Sequence, residues 1–502
     1  MDAVQVLIGG AGPTGLMLAL QLARRGVALR IIDAEPGPGL HSRAIGVHAR
    51  TLEFYHQLGF ADEIVAAGYK ADLIRLRGRG GDLVQLNLGL MGAGLSPYPF
   101  MLAYPQDLHE PFLIGKLADL GVQVAWNTRL IGVRQDQAGV DCDLGGGDPL
   151  HVPWLCGCDG ARSTVRQSLG IELEGGTEEI LFYVADVALP NAVGNGMEAA
   201  LDAGGLILMI PLKGGTYRLI GVVPRHLAAK PELGFADVQA PIEARLRLSV
   251  GQVNWFSTYH VHHRLAPRFA QGRVFLLGDA AHIHSPAGAQ GMNTGIGDAV
   301  NLGWKLAAVI KGQAQPAILQ SYEAERRPFA KKLVATTDRV FHAMIGSGLP
   351  SRFLRGIVAP ALMMTVARLP IVQRAMFRTV SQIMIRYRGS ALSNGQAGRV
   401  VAGDRLPWLP DADNFAPLVT MTWQAHVYGK VLPAFAAAAQ AAGLAVHAFN
   451  WTAAAAQAGL ARDALYLLRP DGHVGFSSSG QDWALVQQYA ERLGIGFAVH
   501  PV

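Results

Sequence analysis

Apolar runs broken by glycine dominate the first 35 residues of the chain. QVLIGG predicts a strand, LMLALQLARRG has the apolar periodicity of a helix ending at Gly26, and ALRIID predicts a second strand. The order of strand, glycine turn, helix and strand indicates a βαβ unit. A second helix is predicted for VHARTLEFYHQLG, residues 47–59, because a glycine follows its last turn.

Beyond this unit, two kinds of segment alternate. Residues 76–95 and 180–265 are predicted as strands and turns, and residues 123–146 as a β-meander. Residues 108–121 are predicted as a helix, and residues 272–282 as a buried strand that opens into a helix-rich region. The first domain is therefore predicted to be discontinuous, with a β-rich module inserted into it.

The last 95 residues predict a separate α/β module. LVTMTW, LAVHAFNW and ALYLLRPDGHVGF are predicted as strands around an alanine-rich helix at 433–442, with a turn at 470–472. Residues 402–408 predict a linker into this module. Residues 340–395 predict a helical, arginine-bearing segment that precedes it.

The composition is that of a large globular protein. With 502 residues, half of them hydrophobic and 16% charged, the chain can form about three packed domains. Sixty glycines, well above the usual share of about 7%, indicate tight turns and close approaches of the backbone to a ligand.

The three cysteines, Cys142, Cys156 and Cys158, are too few for a disulfide framework and lack the second pair that a structural zinc site needs. We interpret Cys156 and Cys158 as small core residues, and the protein as cytoplasmic. The apolar start has no basic region and is interrupted by glycines and a proline, so no signal peptide is predicted. The run GIVAPALMMTVA is too short for a transmembrane segment.

Charge is unevenly distributed along the chain. The net charge is +5, and nine arginines without an acidic residue lie between Arg339 and Val401. We interpret this segment as a solvated helical face or a subunit contact, so a homodimer is compatible with the sequence. The alternative is a surface for a membrane or an anionic partner. Nucleic acid is not predicted as a partner, because no recognised binding motif accompanies the arginines.

The turn of the βαβ unit carries the first chemical motif. In its G-x-G-x-x-G spacing, the first glycine allows a tight turn, the second lets the backbone approach a pyrophosphate, and the third permits close packing of helix and strand. The amides that begin the helix point toward the phosphates. The motif consists of Gly10, Gly12, Pro13, Thr14 and Gly15. Asp33 follows it at the end of the second strand, where it is placed to hold a ribose hydroxyl. FAD and NAD remain equally compatible with this motif.

A second motif favours FAD. GDAAH, which contains Asp279, follows a buried strand, and Pro286 and a helix start at Gly291, Met292 and Asn293 come after it. An aspartate at the end of a strand can bind the hydroxyls of a ribityl chain. Exposed amides at a helix start can stabilise negative charge on a reduced isoalloxazine. A NAD dehydrogenase needs no ribityl clamp so far from its glycine turn.

Three segments together resemble the para-hydroxybenzoate hydroxylase-fold (class A) FAD-dependent aromatic monooxygenases. They are GAGPTG, CDGARS at 158–163, and GDAAHIHSPAGAQGMNTGIGDAVNLGWKL at 278–306, and the likeness continues through SYEAERRP at 321–328. ALYLLRPDGHVGF is similar to the thioredoxin-like C-terminal module of the extended members of this family. Those members include phenol, hydroxyphenylpropionate and polyketide-tailoring hydroxylases.

The resemblance implies an α/β (α+β) fold with four parts. They are a discontinuous Rossmann-like FAD-binding domain, an inserted β-sheet substrate domain, a helical segment and a thioredoxin-like C-terminal domain. Their predicted residues, in that order, are 1–75, 97–175 and 266–340; 76–96 and 176–265; 341–395; and 396–502.

The resemblance also implies roles for cofactor-binding residues. Asp33 is expected to bind the adenosine ribose, and Arg43 to contact the cofactor near its pyrophosphate. Gln106 is expected at the ribityl region, and Asp279 at ribityl or pyrophosphate groups. Asp159, together with Arg162, belongs to a motif linked in the family to both FAD and NAD(P)H.

Pro286 is expected beside the reactive edge of the flavin, with Gly291, Met292 and Asn293 around its pyrimidine end. These four residues are the predicted catalytic positions, and no side-chain acid or base is assigned. Tyr217 and Arg218, in the inserted module, are candidate substrate-pocket residues, although packing would explain them equally well.

Histidines have structural interpretations beside functional ones. His260 and His262 share one face of a predicted strand without a third ligand, so no metal site is predicted. His282 and His284 are interpreted as hydrogen-bonding residues rather than as acid–base catalysts.

The implied reaction depends on the cofactor more than on side chains. NADPH or NADH reduces FAD, and a flavin C4a-hydroperoxide formed with O2 hydroxylates a small phenolic, aromatic or polyketide-like substrate. Two alternatives stay open. Baeyer–Villiger oxygenation of a polyketide ketone would use the same motifs, and a non-catalytic FAD-binding protein would be a different class.

Overall fold

The computed structural model describes residues 3–40, 44–78, 81–146, 148–190, 196–202, 205–224, 226–230, 232–284, 288–345 and 369–497. Strands and helices are numbered in chain order over these residues. Two of the predicted site residues, Arg43 and Pro286, lie outside them.

A six-stranded sheet forms the centre of the first domain. Its strands, in spatial order, are β18 (Ala270–Gln271), β19 (Val274–Leu276), β12 (Trp154–Gly157), β1 (Val6–Gly9), β2 (Leu29–Ile32) and β8 (Val124–Ala125). From β19 to β8 the strands pair in parallel, and β18 pairs antiparallel to β19. The predicted strands at the start of the chain and at 272–282 thus become near neighbours in one sheet.

The helices of this part are α1 (Pro13–Ala23), α2 (Ala49–Gln57), α3 (Ala61–Ala67), α5 (Gln106–Ala118), α6 (Thr164–Ser168), α8 (Gly291–Ile310) and α9 (Gln320–Ile345). The helices α1 and α6 pack on this sheet, and further helices pack on α1 or on one another. The helix α1 is buried from Gly15 to Leu22 and packs against both α5 and α8. The predicted helices at 47–59 and 108–121 are confirmed as α2 and α5.

Two small antiparallel sheets complete this part of the molecule. The first contains β9 (Gly132–Gln135), β10 (Val140–Asp143) and β11 (Leu150–Val152), as the predicted meander requires. The second contains β3 (Gly46–Val47), β7 (Met101–Ala103) and β4 (Tyr69–Ala71). Residues 88–92, predicted as strands and turns, instead form the short helix α4 (Leu88–Gly92), which Asn87 caps.

An eight-stranded sheet forms the inserted module. In spatial order it contains β20 (His282–Ile283), β17 (Val253–Leu265), β13 (Glu174–Ala188), β16 (Thr216–Val222), β15 (Gly205–Pro211), β14 (Met197–Asp202), β5 (Leu73–Gly78) and β6 (Gly81–Asn87). Strands before and after the β9–β11 meander therefore share one sheet, as the predicted discontinuity implies.

The prediction of strands throughout 180–265 is wrong for one segment. Residues Phe235–Leu246 form the helix α7, which packs on the outer face of the eight-stranded sheet. Phe235, Val238, Ile242 and Leu246 are buried against that face. Their spacing of three and four residues is helical, and a strand would place successive members of this set on opposite faces.

The C-terminal part has its own six-stranded sheet. Its strands, in spatial order, are β22 (Val400–Val401), β21 (Asn394–Ala397), β26 (Val474–Ser478), β25 (Leu465–Leu468), β23 (Gln424–Tyr428) and β24 (Ala445–Phe449). Its helices are α11 (Pro433–Ala441), α12 (Ala453–Ala458) and α13 (Trp483–Leu493). The alanine-rich helix and the turn at 470–472 are confirmed, while a thioredoxin-like relationship stays a prediction.

The strand predicted for LVTMTW is wrong. Residues Ala416–Thr420 form a 3-10 helix, and Met421 has a φ of +54°, which ends the segment in a left-handed conformation. The strand β23 begins only afterwards, at Gln424.

Buried charges join the C-terminal part to the first domain. We call Lys305, Glu325, Arg469 and Asp471 the buried ion cluster, because each is less than 5% exposed. Arg469 donates to both carboxylate oxygens of Glu325, at 2.7 and 2.9 Å, and to Asp471 at 2.6 Å. Lys305 donates to Glu325 at 2.8 Å. Charges this deeply buried are stable only when each one has a partner.

The arginine-bearing segment is described in part. It continues from α9 and, beyond residue 368, includes the helix α10 (Pro370–Val380), on which Ile371 is 81% exposed. No helix within the described ranges combines the length and the apolar character that a membrane crossing requires.

Candidate active site

Four predicted motifs meet along one edge of the parallel sheet. The strand β1 leads into the glycine turn, β2 into Asp33, β12 into the CDGARS segment, and β19 into the GDAAH segment. These four strands are neighbours and run parallel, so their carboxyl ends lie together. In open α/β sheets this edge is where ligands bind.

The three glycines of the turn are required for different reasons. Gly10 has a φ of +101°, and a Cβ atom there would collide with the carbonyl oxygen of Cys158. A Cβ at Gly15 would collide with the carbonyl oxygen of Gly10. At Gly12, the N-cap of α1, a Cβ would meet no atom of the described residues within 4 Å. The open space at Gly12 therefore fits an approaching pyrophosphate, which the helix N-terminus favours.

Thr14 connects the glycine turn with the GDAAH segment. It follows Pro13, which occupies the first helical position of α1. A Cβ atom at Gly278 or at Gly295 would lie closer to the Thr14 side chain than van der Waals contact allows. These two glycines therefore let α1 lie close to the start of α8, which brings the first two motifs together.

Asp33 lies at the end of β2 and is bound to the glycine turn. Its Oδ2 atom accepts a hydrogen bond from the Ala11 amide at 2.7 Å, and its Oδ1 atom accepts one from the Glu35 amide at 2.9 Å. The carboxylate therefore stabilises the turn. It keeps lone pairs for a hydroxyl ligand, since two carboxylate oxygens offer about four acceptor sites.

Gln106 begins α5 beside this edge, and a residue that the sequence did not indicate accompanies it. Gln106 donates from Nε2 to Glu110 at 2.7 Å, and the second oxygen of Glu110 accepts from the Gly39 amide at 3.0 Å. Burial, with a contribution from Asp33, raises the pKa of Glu110. The spacing of four residues on a helix was the only sequence signal for this pair.

Asp159 and Arg162 are differently placed. Asp159 accepts from the Val165 amide at 3.1 Å, and burial raises its pKa, whereas Arg162 is exposed. Arg166, which the sequence did not single out, is buried and donates to the carbonyl oxygen of Ala280 at 3.1 Å. Arg166 thus connects the CDGARS segment with the GDAAH segment.

Asp279 follows the carboxyl end of the strand β19. Its side chain is exposed, yet the surrounding protein is dense enough for desolvation to raise its pKa, against the opposing effect of His282. A polar side chain in this position can bind the hydroxyl or amide groups of a deeply inserted ligand.

Asp298, a residue missed by the sequence analysis, fixes the segment that carries Asp279. Its Oδ2 atom accepts from the Gly278 amide at 3.0 Å and bonds His282 Nε2 at 2.8 Å, while Oδ1 accepts from Arg326 Nε at 2.6 Å. Burial would raise the pKa of Asp298, but Arg326 and His282 together lower it. His282 therefore makes a structural hydrogen bond, the role interpreted for it.

Asn293 holds the first turn of α8 in place. Its Nδ2 atom donates to the carbonyl oxygens of Gly46 and Ala289, both at 2.8 Å. Its Oδ1 atom accepts from the His48 amide at 2.9 Å and from the Thr51 hydroxyl at 2.7 Å. The side chain is used entirely within the protein, so Asn293 can face a ligand only through its backbone.

Gly291 and Met292 are half-buried at the start of α8, where helix geometry leaves the first amides without an acceptor inside the helix. His48 bonds the carbonyl oxygen of Gly288 through Nε2 at 2.7 Å, and burial lowers its pKa to about 4. The neutral ring therefore donates this bond and fixes the segment that leads into α8.

The eight-stranded sheet separates the two substrate candidates. Tyr217 packs on the outer face with the cluster beneath α7. Arg218 is on the opposite, inner face, which turns toward the first domain, and its Nη1 atom lies 3.4 Å from the carbonyl oxygen of Ala44. Neighbours on a strand point to opposite faces, so the structure does not bring these residues to one pocket.

The cysteines and the two strand histidines show no arrangement for catalysis. Burial raises the pKa of Cys142 to about 12 and raises those of Cys156 and Cys158 further, so all three stay protonated. His260 and His262 lie in β17, and the described residues contain no group of three metal-ligating side chains that includes them.

Sequence similarity places the chain in a known family. Residues 3–337 match the family model described as FAD binding domain. The chain belongs to this family. It is 37% identical over 399 residues to the 6-methylpretetramide 4-monooxygenase of Streptomyces rimosus, which covers 78% of the chain and 70% of that protein. It is 33% identical over 497 residues to a flavin-dependent monooxygenase of Mycobacteroides abscessus, at 94% and 96% coverage.

Solved structures agree with the sequence relatives. The OxyS anhydrotetracycline hydroxylase from Streptomyces rimosus has a TM-score of 0.78 and 28% identity, with 99% of each chain covered. The predicted mixed α/β hydroxylase fold, the FAD cofactor and the monooxygenase activity are therefore confirmed.

Proposed function

We propose that the protein inserts one oxygen atom of O2 into a phenolic or polyketide-like aromatic ring, with NADPH or NADH as reductant and water as the second product. The observation that carries the proposal is the meeting of the glycine turn, Asp33 and the GDAAH segment at one sheet edge, beside the inner face of the eight-stranded sheet. Two similar proteins, named for 6-methylpretetramide and for anhydrotetracycline, support the substrate class.

The residues present fit FAD. The space at Gly12 suits the pyrophosphate, Asp33 the adenosine ribose, and Asp279 and Gln106 the ribityl chain. We assign Arg43 to the pyrophosphate and Pro286 to the flavin edge by resemblance alone. When bound, FAD supplies the redox chemistry that connects the reductant with O2.

The chain itself supplies position and a dry environment. The amides of Gly291 and Met292 would face the pyrimidine end of the flavin, and Asn293 and His48 hold that helix start rigid. Asp298 does the same for Asp279. The inner face of the sheet presents apolar side chains such as Phe182 and Ile220, which exclude water from the ring to be oxygenated.

The test is NADPH and NADH consumption by the purified yellow protein over a panel of phenols and fused-ring aromatics, with product masses. We expect substrate-stimulated oxidation and a product that gains one oxygen atom with its ring intact. A variant Ile220→Trp, which fills the inner face, should raise KM without loss of bound FAD. Ile131→Trp is the control, because Ile131 is 56% exposed and lies outside both sheets of the site.

Other outcomes would contradict the proposal in distinct ways. Expansion of a ring to a lactone would identify Baeyer–Villiger oxygenation. Bound FAD without stimulation by any member of the panel would favour a non-catalytic flavoprotein.

We further propose a cytoplasmic enzyme, since its thiols are buried and unpaired by disulfides, and a homodimer stays a prediction.

A further inference from the structure

Within the part of the chain that the structure describes, an ion pair interrupts the mainly apolar inner face of the eight-stranded sheet. Asp186 and Arg218 are cross-strand partners on β13 and β16. Arg218 donates from Nε and from Nη2 to the two carboxylate oxygens, both at 2.7 Å. This is the bidentate geometry in which a guanidinium and a carboxylate bind each other most strongly.

The pair lies in a row of side chains across four strands. Ile210 is the partner of Arg218 on one side, and Trp255 is the partner of Asp186 on the other. The guanidinium carbon is 5.7 Å from the centre of the Trp255 ring. Apolar groups therefore flank the pair at both ends.

The neighbouring rows on the same face are almost wholly apolar. The next row contains Ser257, Val184, Ile220 and Leu208, and the row beyond it contains Tyr259, Phe182 and Val222. Ile220, Leu208, Val222 and Tyr259 are half-buried rather than sealed in the core. The face thus offers a wide and mainly apolar wall for fused aromatic rings, with the hydroxyls of Ser257 and Tyr259 along it and the ion pair at its end.

The two members of the pair differ in what they present to a ligand. The Arg218 side chain is 1% exposed and the Asp186 side chain 19% exposed. The guanidinium is covered, and its charge is already matched by Asp186. A ligand that reaches this point meets carboxylate oxygens, each of which has a lone pair beyond its bond to Arg218.

We propose that Asp186 accepts a hydrogen bond from a hydroxyl of the substrate and makes the site selective for uncharged phenols over aromatic carboxylates. The proposal rests on the hydroxylase function proposed above and names its substrate class. A carboxylated ring would bring a second anion against the exposed oxygens of Asp186 and would offer them no hydrogen to accept, so it should bind more weakly than the phenol even though Arg218 offsets part of the charge. Selectivity thus arises from repulsion of the wrong ligand as well as from binding of the right one.

The experiment uses the FAD-loaded protein and matched ligand pairs, each a fused-ring phenol and the same ring with a carboxylate in place of the hydroxyl. Binding is followed by the change in flavin absorbance, which does not require turnover. We expect the wild type to bind the phenol about tenfold or more tightly than the carboxylate.

Variants identify the residue responsible. Asp186→Asn should weaken the binding of the phenol and strengthen the binding of the carboxylate, so that the ratio of the two affinities falls about tenfold. Asp186→Glu should keep the wild-type ratio. Asp141→Asn is the control, since Asp141 is exposed on the β9–β11 sheet. If Asp186→Asn loses FAD, the ratios measured for the wild type and for Asp186→Glu decide the question.

The contrary results are specific. Equal or tighter binding of carboxylates by the wild type, or an unchanged ratio in a folded Asp186→Asn, overturns the proposal. Binding with the expected ratio but without oxygenation would overturn the hydroxylase function and leave the assignment of Asp186 standing. Binding of neither ligand in any pair would overturn both.

Discussion

Gly12 differs from its neighbours Gly10 and Gly15 in what surrounds it. A side chain at Gly10 or Gly15 would collide with backbone atoms, and one at Gly12 would enter open space among the described residues. We therefore expect Gly12→Ala to fold with wild-type thermal stability and to bind FAD at least about tenfold more weakly.

The matched variant Gly15→Ala should show the opposite effect. Its main loss should be in thermal stability rather than in FAD affinity, because the backbone must move to admit a Cβ atom. FAD titration of the apoprotein and thermal unfolding separate the two effects. An unstable Gly12→Ala, or one with unchanged FAD affinity, would show that this glycine serves folding rather than the ligand.

Local spacing was sufficient for some site residues and not for others. The glycine turn and Asp33 lie within one βαβ unit, so their geometry follows from their own sequence. Asn293 and Asp298 act through partners that only the fold brings near. His48, for example, bonds Asn293 although the two residues are 245 positions apart in the sequence. Nothing in the neighbourhood of such residues along the chain indicates whether a side chain will meet a ligand or another segment.

At the scale of elements, the contact between α1 and α8 depends on missing side chains. A Cβ at Gly303 would lie 2.7 Å from Cβ of Gln21, an atom that moves only with its helix. We expect Gly303→Ala to lower the free energy of unfolding by about 1–3 kcal/mol, as overpacking does. It should also speed the release of FAD, since both helices begin at the site.

The helical glycine Gly115 provides the control. It is exposed in α5, and a Cβ there would meet no described atom within 4 Å. Gly115→Ala should raise the free energy of unfolding by about 0.5–1 kcal/mol, because it restricts the unfolded chain. Urea unfolding of both variants tests the pair, and similar effects of the two would refute the packing argument.

Helices and strands were predicted correctly where the periodicity of apolar residues was strong. The predictions were wrong where that periodicity was overlooked or interrupted. The βαβ unit and the helices α2 and α5 follow from apolar spacing and terminal glycines. The helix α7 has equally clear spacing, yet its strand-rich surroundings suggested a strand. LVTMTW has a β-prone composition, and the left-handed Met421 within it depends on tertiary contacts that composition does not report.

At the scale of the whole molecule, the buried ion cluster makes the C-terminal part and the first domain one folding unit. Removing Arg469 leaves the carboxylates of Glu325 and Asp471 without their main partner. We expect Arg469→Met to cost about 3–5 kcal/mol and to split one unfolding transition into two.

The variant Arg388→Met tests whether the loss of any paired arginine side chain lowers the stability as much and splits the unfolding transition. Arg388 pairs with Asp404 at 2.7 Å, but its side chain is 42% exposed, so its loss should cost about 1 kcal/mol or less. Calorimetry reports both the stability and the number of transitions. A single transition in Arg469→Met would contradict the coupling that we assign to the cluster.

Buried histidines predict how the stability of the molecule depends on pH. Burial lowers the pKa of His48 and of His473 to about 4 and that of His109 to about 3, against about 6.5 in an unfolded chain. Between pH 6.5 and 4 the unfolded state binds the additional protons. The stabilising contribution of these groups is therefore complete above pH 6.5 and is lost as the pH falls toward 4 for His48 and His473, and toward 3 for His109.

Each such histidine contributes at most about 1.4 kcal/mol per pH unit in this window. Urea unfolding at several pH values should show His109→Gln with a shallower slope than the wild type. The exposed His151 gives the control, and His151→Gln should keep the slope. An equal slope in all three proteins would exclude His109 as a source of acid sensitivity.

The interleaved order of the parallel sheet also determines when the enzyme can mature. The strand β1 ends at Gly9, while β19, which completes the flavin edge, ends at Leu276. A ribosome that adds about 5–20 residues per second needs roughly 15–50 s to cover that distance. During this interval the nascent chain holds its nucleotide motif without the segments that enclose it. Capture of the flavin is therefore a late event of biosynthesis, and nascent-chain release and flavin supply become coupled steps in the yield of active enzyme.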